Sequence, residues 1–137
     1  MSSKPIPQYV YKIAPAAPPS PLPAALPLSS LDAADGFIHL SDAAQTPVTA
    51  DLFFKDERTV WLLRVRTAPA QAAGGEFRWV AELPGCVHLH GPREGAWVHL
   101  GSGNVADVRE VWREEGQSWG EAMRALQEEG WLADADA

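Results

Sequence analysis

Four histidines carry most of the chemistry this chain can offer, and each stands in a short apolar run. His39 lies in Phe37-Ile38-His39-Leu40, directly after the turn signal Asp35-Gly36. In a strand, Phe37, His39 and Ser41 share one face, and Ile38 and Leu40 the other. His88 and His90 stand two apart in Cys86-Val87-His88-Leu89-His90, so both point to one side. An imidazole has an ordinary pKa of about 6.5 and can give or take a proton near neutrality. His39 and His88 are therefore the expected acid and base, with Glu82 as a further carboxyl candidate. Arg78 beside Trp79 offers a planar guanidinium for a phosphate or carboxylate.

The pair His88 and His90 also has a spacing that suits a metal. With Glu94 and Gly101 it matches the spacing of the first metal motif of the cupin family. A cupin needs a second motif with a further histidine, but the later residues read as helical. The glycine expected upstream of His88 is Glu82 instead. A metal needs three or four converging ligands, so no metal site is expected. The single cysteine, Cys86, has no partner for a disulfide and reads as a buried thiol. No phosphate-cradling glycine loop, nucleophile elbow or paired-cysteine motif is present.

A length of 137 residues fits one domain. The net charge of −7 argues against nonspecific nucleic-acid binding, which needs clustered Lys and Arg. A local arginine could still hold one small anionic ligand. Six Trp supply large flat surfaces for a core or a pocket. No apolar run approaches the roughly 20 residues of a membrane span. No secretory signal is visible either, so a cytoplasmic protein is expected. The oligomeric state is not readable.

Several elements must position the histidines. Tyr9-Val10-Tyr11-Lys12-Ile13 reads as the first strand. Ala14 to Leu28 holds six prolines and reads as an extended surface connection. Residues 29–34 could form one helical turn, and Phe37 to Leu40 a strand. Pro47 to Phe54 reads as a helix with Val48, Leu52 and Phe53 inward. Thr59 to Arg66 is nearly continuously apolar in its middle and reads as a central strand. Ala68 to Gly75 reads as a loop. Strands are expected at Phe77–Val80, Cys86–His90 and Ala96–Leu100. Val105 to Glu115 leans to helix, because Val108, Val111 and Trp112 follow i, i+3, i+4 spacing. Ser118 and Glu121 fit a capping box, opening a helix with Ala122, Met123 and Leu126 that stops at Gly130. One helix among many strands points to an α+β domain.

Tyr11-Lys12-Ile13, Asp35-Gly36-Phe37-Ile38-His39-Leu40-Ser41, Leu62-Leu63-Arg64-Val65, Phe77-Arg78-Trp79 and His88-Leu89-His90-Gly91-Pro92 follow one another in an order that resembles the DUF952 family of unknown function. The resemblance covers about residues 9–100. It implies a small split β-sheet similar to the ADP-ribosyltransferase-like fold, with a central NAD cleft, to which this chain adds the C-terminal helix read above. Residues 1–8 then read as a flexible arm, 9–103 as the DUF952-like domain, 104–132 as its C-terminal helical extension and 133–137 as a frayed tail.

By the same resemblance, His39 matches a histidine that contacts the ribose next to nicotinamide, and His88 matches the histidine of a later block. The family's Arg-Trp-Glu pattern becomes Arg78-Trp79-Val80, which moves the nearest carboxylate to Glu82. The implied ligand is NAD, ADP-ribose or a similar small molecule. Tyr11, Asp35, Ser41, Arg78, Trp79 and His90 are its expected contacts. Two other functions fit the same residues. One is an isomerase, cyclase or dehydratase of a small metabolite that uses His39 and His88. The other is a non-catalytic binding or interaction module.

Overall fold

Period-two alternation sorts the apolar residues of the strands onto two faces, and each face finds its own cover. The computed structural model describes residues 4–136. Its strands are β1 (Tyr9–Ala14), β2 (Ile38–Ser41), β3 (Thr59–Arg66), β4 (Glu76–Trp79), β5 (Cys86–His90) and β6 (Val105–Trp112). Its helices are α1 (Ser30–Asp35), α2 (Gln45–Phe53), α3 (Thr67–Ala72) and α4 (Trp119–Glu128). The strands form one open sheet in the order β4-β5-β2-β1-β3-β6, every neighbouring pair antiparallel. No described helix is long and apolar enough to cross a membrane.

On one face, Tyr9, Tyr11 and Ile13 of β1 join Val60 and Leu62 of β3. Ala50 of α2 and Trp119, Met123 and Leu126 of α4 cover them. On the other face, Val10, Ile38, Leu40, Leu63, Val65, Val87 and Leu89 pack with Ala70 of α3 and with Val98 and Leu100. Burying each large apolar side chain contributes about 1.5–3 kcal/mol, so both faces help to hold the single sheet. The proline-rich connection is part of this second cover, through Leu22, Leu26 and Leu28. Leu26 N–H donates to the Leu100 carbonyl at 2.7 Å, and Ser102 N–H to that of Pro23 at 2.9 Å. A Cβ at Gly101 would fall 2.2 Å from the Ala24 carbonyl oxygen, so only glycine permits this close approach.

The sheet has a seam. β1 and β2 share one registered pair, Tyr11 with Ser41. β1 pairs with β3 along its whole length, Tyr9 to Ala14. The small split sheet expected from the sequence is therefore one six-stranded sheet, whose halves β4-β5-β2 and β1-β3-β6 meet at that pair.

Other expectations change for physical reasons. Residues 105–112 form an edge strand paired with β3, not a helix, so the expected helical extension opens as part of the sheet. Three β-branched valines at 105, 108 and 111 suit a pleated surface, and their spacing also mimics a helical stripe. Ala96 to Leu100 has no ladder partner; its alternation comes from burial of Val98 and Leu100 alone. The loop expected at Ala68 to Gly75 contains α3, with Pro69 tolerated in its first turn. In α2, Val48, Leu52 and Phe53 face solvent, while Thr46, Pro47 and Ala50 face inward. The fully buried Ala50 lets the helix lie close to the sheet.

Both ends are fastened rather than loose. Trp79 Nε1–H donates to the Lys4 carbonyl at 2.7 Å, and Thr67 Oγ1–H to that of Pro7 at 2.6 Å. Asp134 accepts from Ala43 N–H at 2.9 Å, and Asp136 from the Tyr9 hydroxyl at 2.7 Å. The remainder of the expected arm and tail, residues 1–3 and 137, lies outside the described residues.

Candidate functional site

Antiparallel pairing of β2 with β5 sets His39 opposite His88. Pairing of β4 with β5 then sets Arg78 opposite His88 and Glu76 opposite His90. All five side chains share one face, on the half of the sheet that α2 and α4 leave open. The His39 side chain is 28% exposed there. Phe37 lies at the centre of this face. Its ring stacks on His88 at 4.0 Å and 22°, and stands 4.8 Å from His39 and 4.9 Å from His90. His39 meets His88 edge-on at 5.0 Å.

A single turn of helix fixes His39. Ser29 caps α1 by accepting from Asp32 N–H at 3.1 Å, and Gly36 closes it in the left-handed region at φ 86°. This places the Asp32 carboxylate, 3% exposed, beneath β2. One of its oxygens accepts from His39 N–H at 3.2 Å and faces His39 Nδ1 at 2.7 Å. The other faces the Lys12 ammonium at 2.7 Å. Lys12 also donates to the His39 carbonyl at 3.1 Å. Lys12 follows Tyr11, the last residue of β1 in register with β2, so its ammonium supplies a donor where the backbone ladder stops. Burial works against the Asp32 carboxylate, but the charge and hydrogen bond of Lys12 and the hydrogen bonds from His39 outweigh it and hold its pKa below the ordinary value.

The second nitrogen of His39, Nε2, faces the Asp35 carboxylate at 3.0 Å. The ring thus stands between two carboxylates. His88 is different. Burial, and then the neighbouring His39 and His90, push its pKa down to about 4, so it is a neutral ring at neutral pH. Burial, and then Arg78, also lower His90.

The sign of the His88 effect is testable. The unfolded chain takes up a proton near the ordinary 6.5, and the folded chain only near 4. The stability contributed by the neutral ring is complete above about 6.5 and is lost as pH falls toward about 4. Thermal unfolding across that window should show a falling melting temperature, and His88→Gln should flatten the fall. An equal slope in the variant would refute this assignment.

The other expected site residues are placed as follows. Tyr11 is fully buried, its hydroxyl 2.6 Å from the Ala133 carbonyl oxygen and 2.7 Å from that of Trp131. Ser41 is buried and bonded to Thr49 at 3.0 Å. Trp79 faces the opposite side of the sheet, under Lys4 at 4.5 Å. Glu82 is exposed in the β4–β5 turn, and no hydrogen bond or ion pair joins it to the histidines. Arg78 is on the histidine face but exposed, in an ion pair with Glu76.

Asp32, Lys12 and Phe37 complete the cluster without having been singled out by sequence. For Phe37 the signal was present, since alternation puts it beside His39. Nothing local to Lys12 or Asp32 reveals that they meet across 20 residues.

Among the described residues, no group of three or more His, Cys, Asp or Glu side chains converges to hold a metal. Concavities of about 400 Å³ beside Arg113 and Ser118, and of about 230 Å³ beside Pro18 and Trp61, lie away from the histidines.

Comparison with known proteins adds family and fold. A family model described as "Protein of unknown function (DUF952)" matches residues 22–107. No curated protein matches the chain. Among solved structures, protein CC0527 from Caulobacter crescentus is similar over 80% of this chain and 91% of its own, at 24% identity and a TM-score of 0.56. A double mutant of that protein gives the same values. At that identity the likeness is one of fold.

Proposed function

We propose, for a chain that belongs to the DUF952 family of proteins of unknown function, that the open histidine face binds a small ligand of the NAD or ADP-ribose type. One observation carries the reading. Buried Asp32 holds His39 by Nδ1 and fixes the ring, whose Nε2 meets the half-exposed Asp35 carboxylate at 3.0 Å. A donor fixed in this way loses little freedom on binding. His88, neutral and stacked on Phe37, and His90 beside it offer flat rings with both donor and acceptor nitrogens. Arg78 stands at the rim, where a phosphate could draw it from Glu76. A nucleotide rather than a simple metabolite is named because the motif order in the sequence implies an ADP-ribosyltransferase-like domain.

Calorimetric titration with NAD and ADP-ribose tests this. His39→Ala removes one hydrogen bond from a fixed donor and should weaken binding about 10–100-fold. Equal affinity in the variant, or no heat with either compound, would reject the reading.

The geometry favours a second reading on the same residues. With Nδ1 held by a buried carboxylate, Nε2 of His39 can exchange a proton with a substrate. Neutral His88, its ring 5.0 Å away, can accept one from the same side. That pairing suits an isomerisation, cyclisation or dehydration. Loss of either histidine should then lower turnover by about 10²–10⁴-fold.

A further inference from the structure

One carboxylate on the histidine face is not needed to orient His39. Asp35 ends α1, where the free helix carbonyls make a carboxylate unfavourable, and no basic residue in that last turn offsets it. Asp32 already orients His39 through Nδ1. The Asp35 carboxylate, 42% exposed, instead covers Nε2 at 3.0 Å. Its neighbour Gly36 has nothing within 4 Å of the place a Cβ would take, so the surface beside Asp35 is open.

We propose that Asp35 stands in the place of the ligand's own anionic group. The ligand would then carry a phosphate or carboxylate that exchanges with Asp35 on His39 Nε2, and Asp35 acts as a built-in competitor. This rests on the reading of the histidine face as a ligand site. Charge complementarity supports it. Asp32 neutralises Lys12, and Glu76 neutralises Arg78. With Asp35 displaced, the Nε2–H of His39 becomes a donor that an anion satisfies better than a neutral group does.

The test is Asp35→Ala, titrated in parallel with wild type against ADP-ribose, pyrophosphate and adenosine. Removing the competitor should tighten ADP-ribose and pyrophosphate by about tenfold and leave adenosine unchanged. Tightening confined to the two phosphates supports the proposal, as does phosphate binding seen only in the variant. Unchanged or weaker phosphate binding, with wild type still binding ADP-ribose, overturns the competitor role and leaves the ligand site standing. Equal tightening of adenosine also overturns it, since relief would then be steric. No binding of any probe by either protein overturns both. An unchanged melting temperature confirms that the variant is folded.

Discussion

Replacing Asp32 by alanine is expected to destabilise the fold by about 3–5 kcal/mol and to abolish ligand binding at the histidine face. The Asp32 carboxylate is 3% exposed and the Lys12 side chain 16%, so neither is solvated enough to lose its partner cheaply. Alanine would leave the Lys12 ammonium without its counter-ion and His39 Nδ1 without an acceptor. It would also remove the acceptor of the His39 backbone N–H. For a chain of this length the melting temperature should fall by about 10 °C or more. Lys12→Met and Asp32→Leu, measured singly and together, separate the pair from its parts. The double variant should lose less than the sum of the singles, because no unpaired charge remains. Strict additivity, or an unchanged melting temperature for Asp32→Ala, would contradict a buried bridge across the seam.

Trp119→Ala is expected to cost a similar amount, about 3–5 kcal/mol, through a different cause. Trp119 has no exposed surface and is the largest fully buried side chain. It opens α4 directly after the Ser118 cap, and its backbone N–H donates to Asp51 of α2 at 2.9 Å. Its ring nitrogen donates to the Phe54 carbonyl at 3.0 Å, and the Arg113 guanidinium lies 4.5 Å from its ring centroid. One side chain thus joins α4, the end of α2 and the chain after β6. Alanine would leave a cavity and remove one of the donors to the Phe54 carbonyl. A denaturant midpoint equal to that of wild type would refute this. Trp119→Phe should recover most of the packing but not the hydrogen bond, and should fall between the two.

What sequence could and could not disclose follows from the range of each interaction. β3 and β5 were legible to the residue, because their apolar content and bounding turns are local. The α4 start was legible for the same reason: Ser118 accepts from Glu121 N–H, as a capping box requires. β6 was not, because valines three apart serve a helix stripe and a strand equally, and pairing with β3 decides between them. The outward face of α2 was hidden likewise, since periodicity gives a stripe but not its direction. At the site, alternation put Phe37 beside His39 and His88 beside His90. The register that brings those pairs together is a contact between distant segments. Trp79 shows the limit of reading by neighbourhood. It adjoins Arg78 in sequence and therefore faces the opposite side of the sheet.

The most direct measurement is the response of the four histidine rings to ADP-ribose in a nitrogen-resolved NMR spectrum of the whole chain. His99 serves as an internal control, because its segment packs on the other face through Val98 and Leu100. Binding at the proposed site should shift the ring signals of His39, His88 and His90 in one saturable curve and leave His99 unmoved. Saturating ADP-ribose that moves none of those three, or moves His99 alone, would contradict a ligand site on the histidine face.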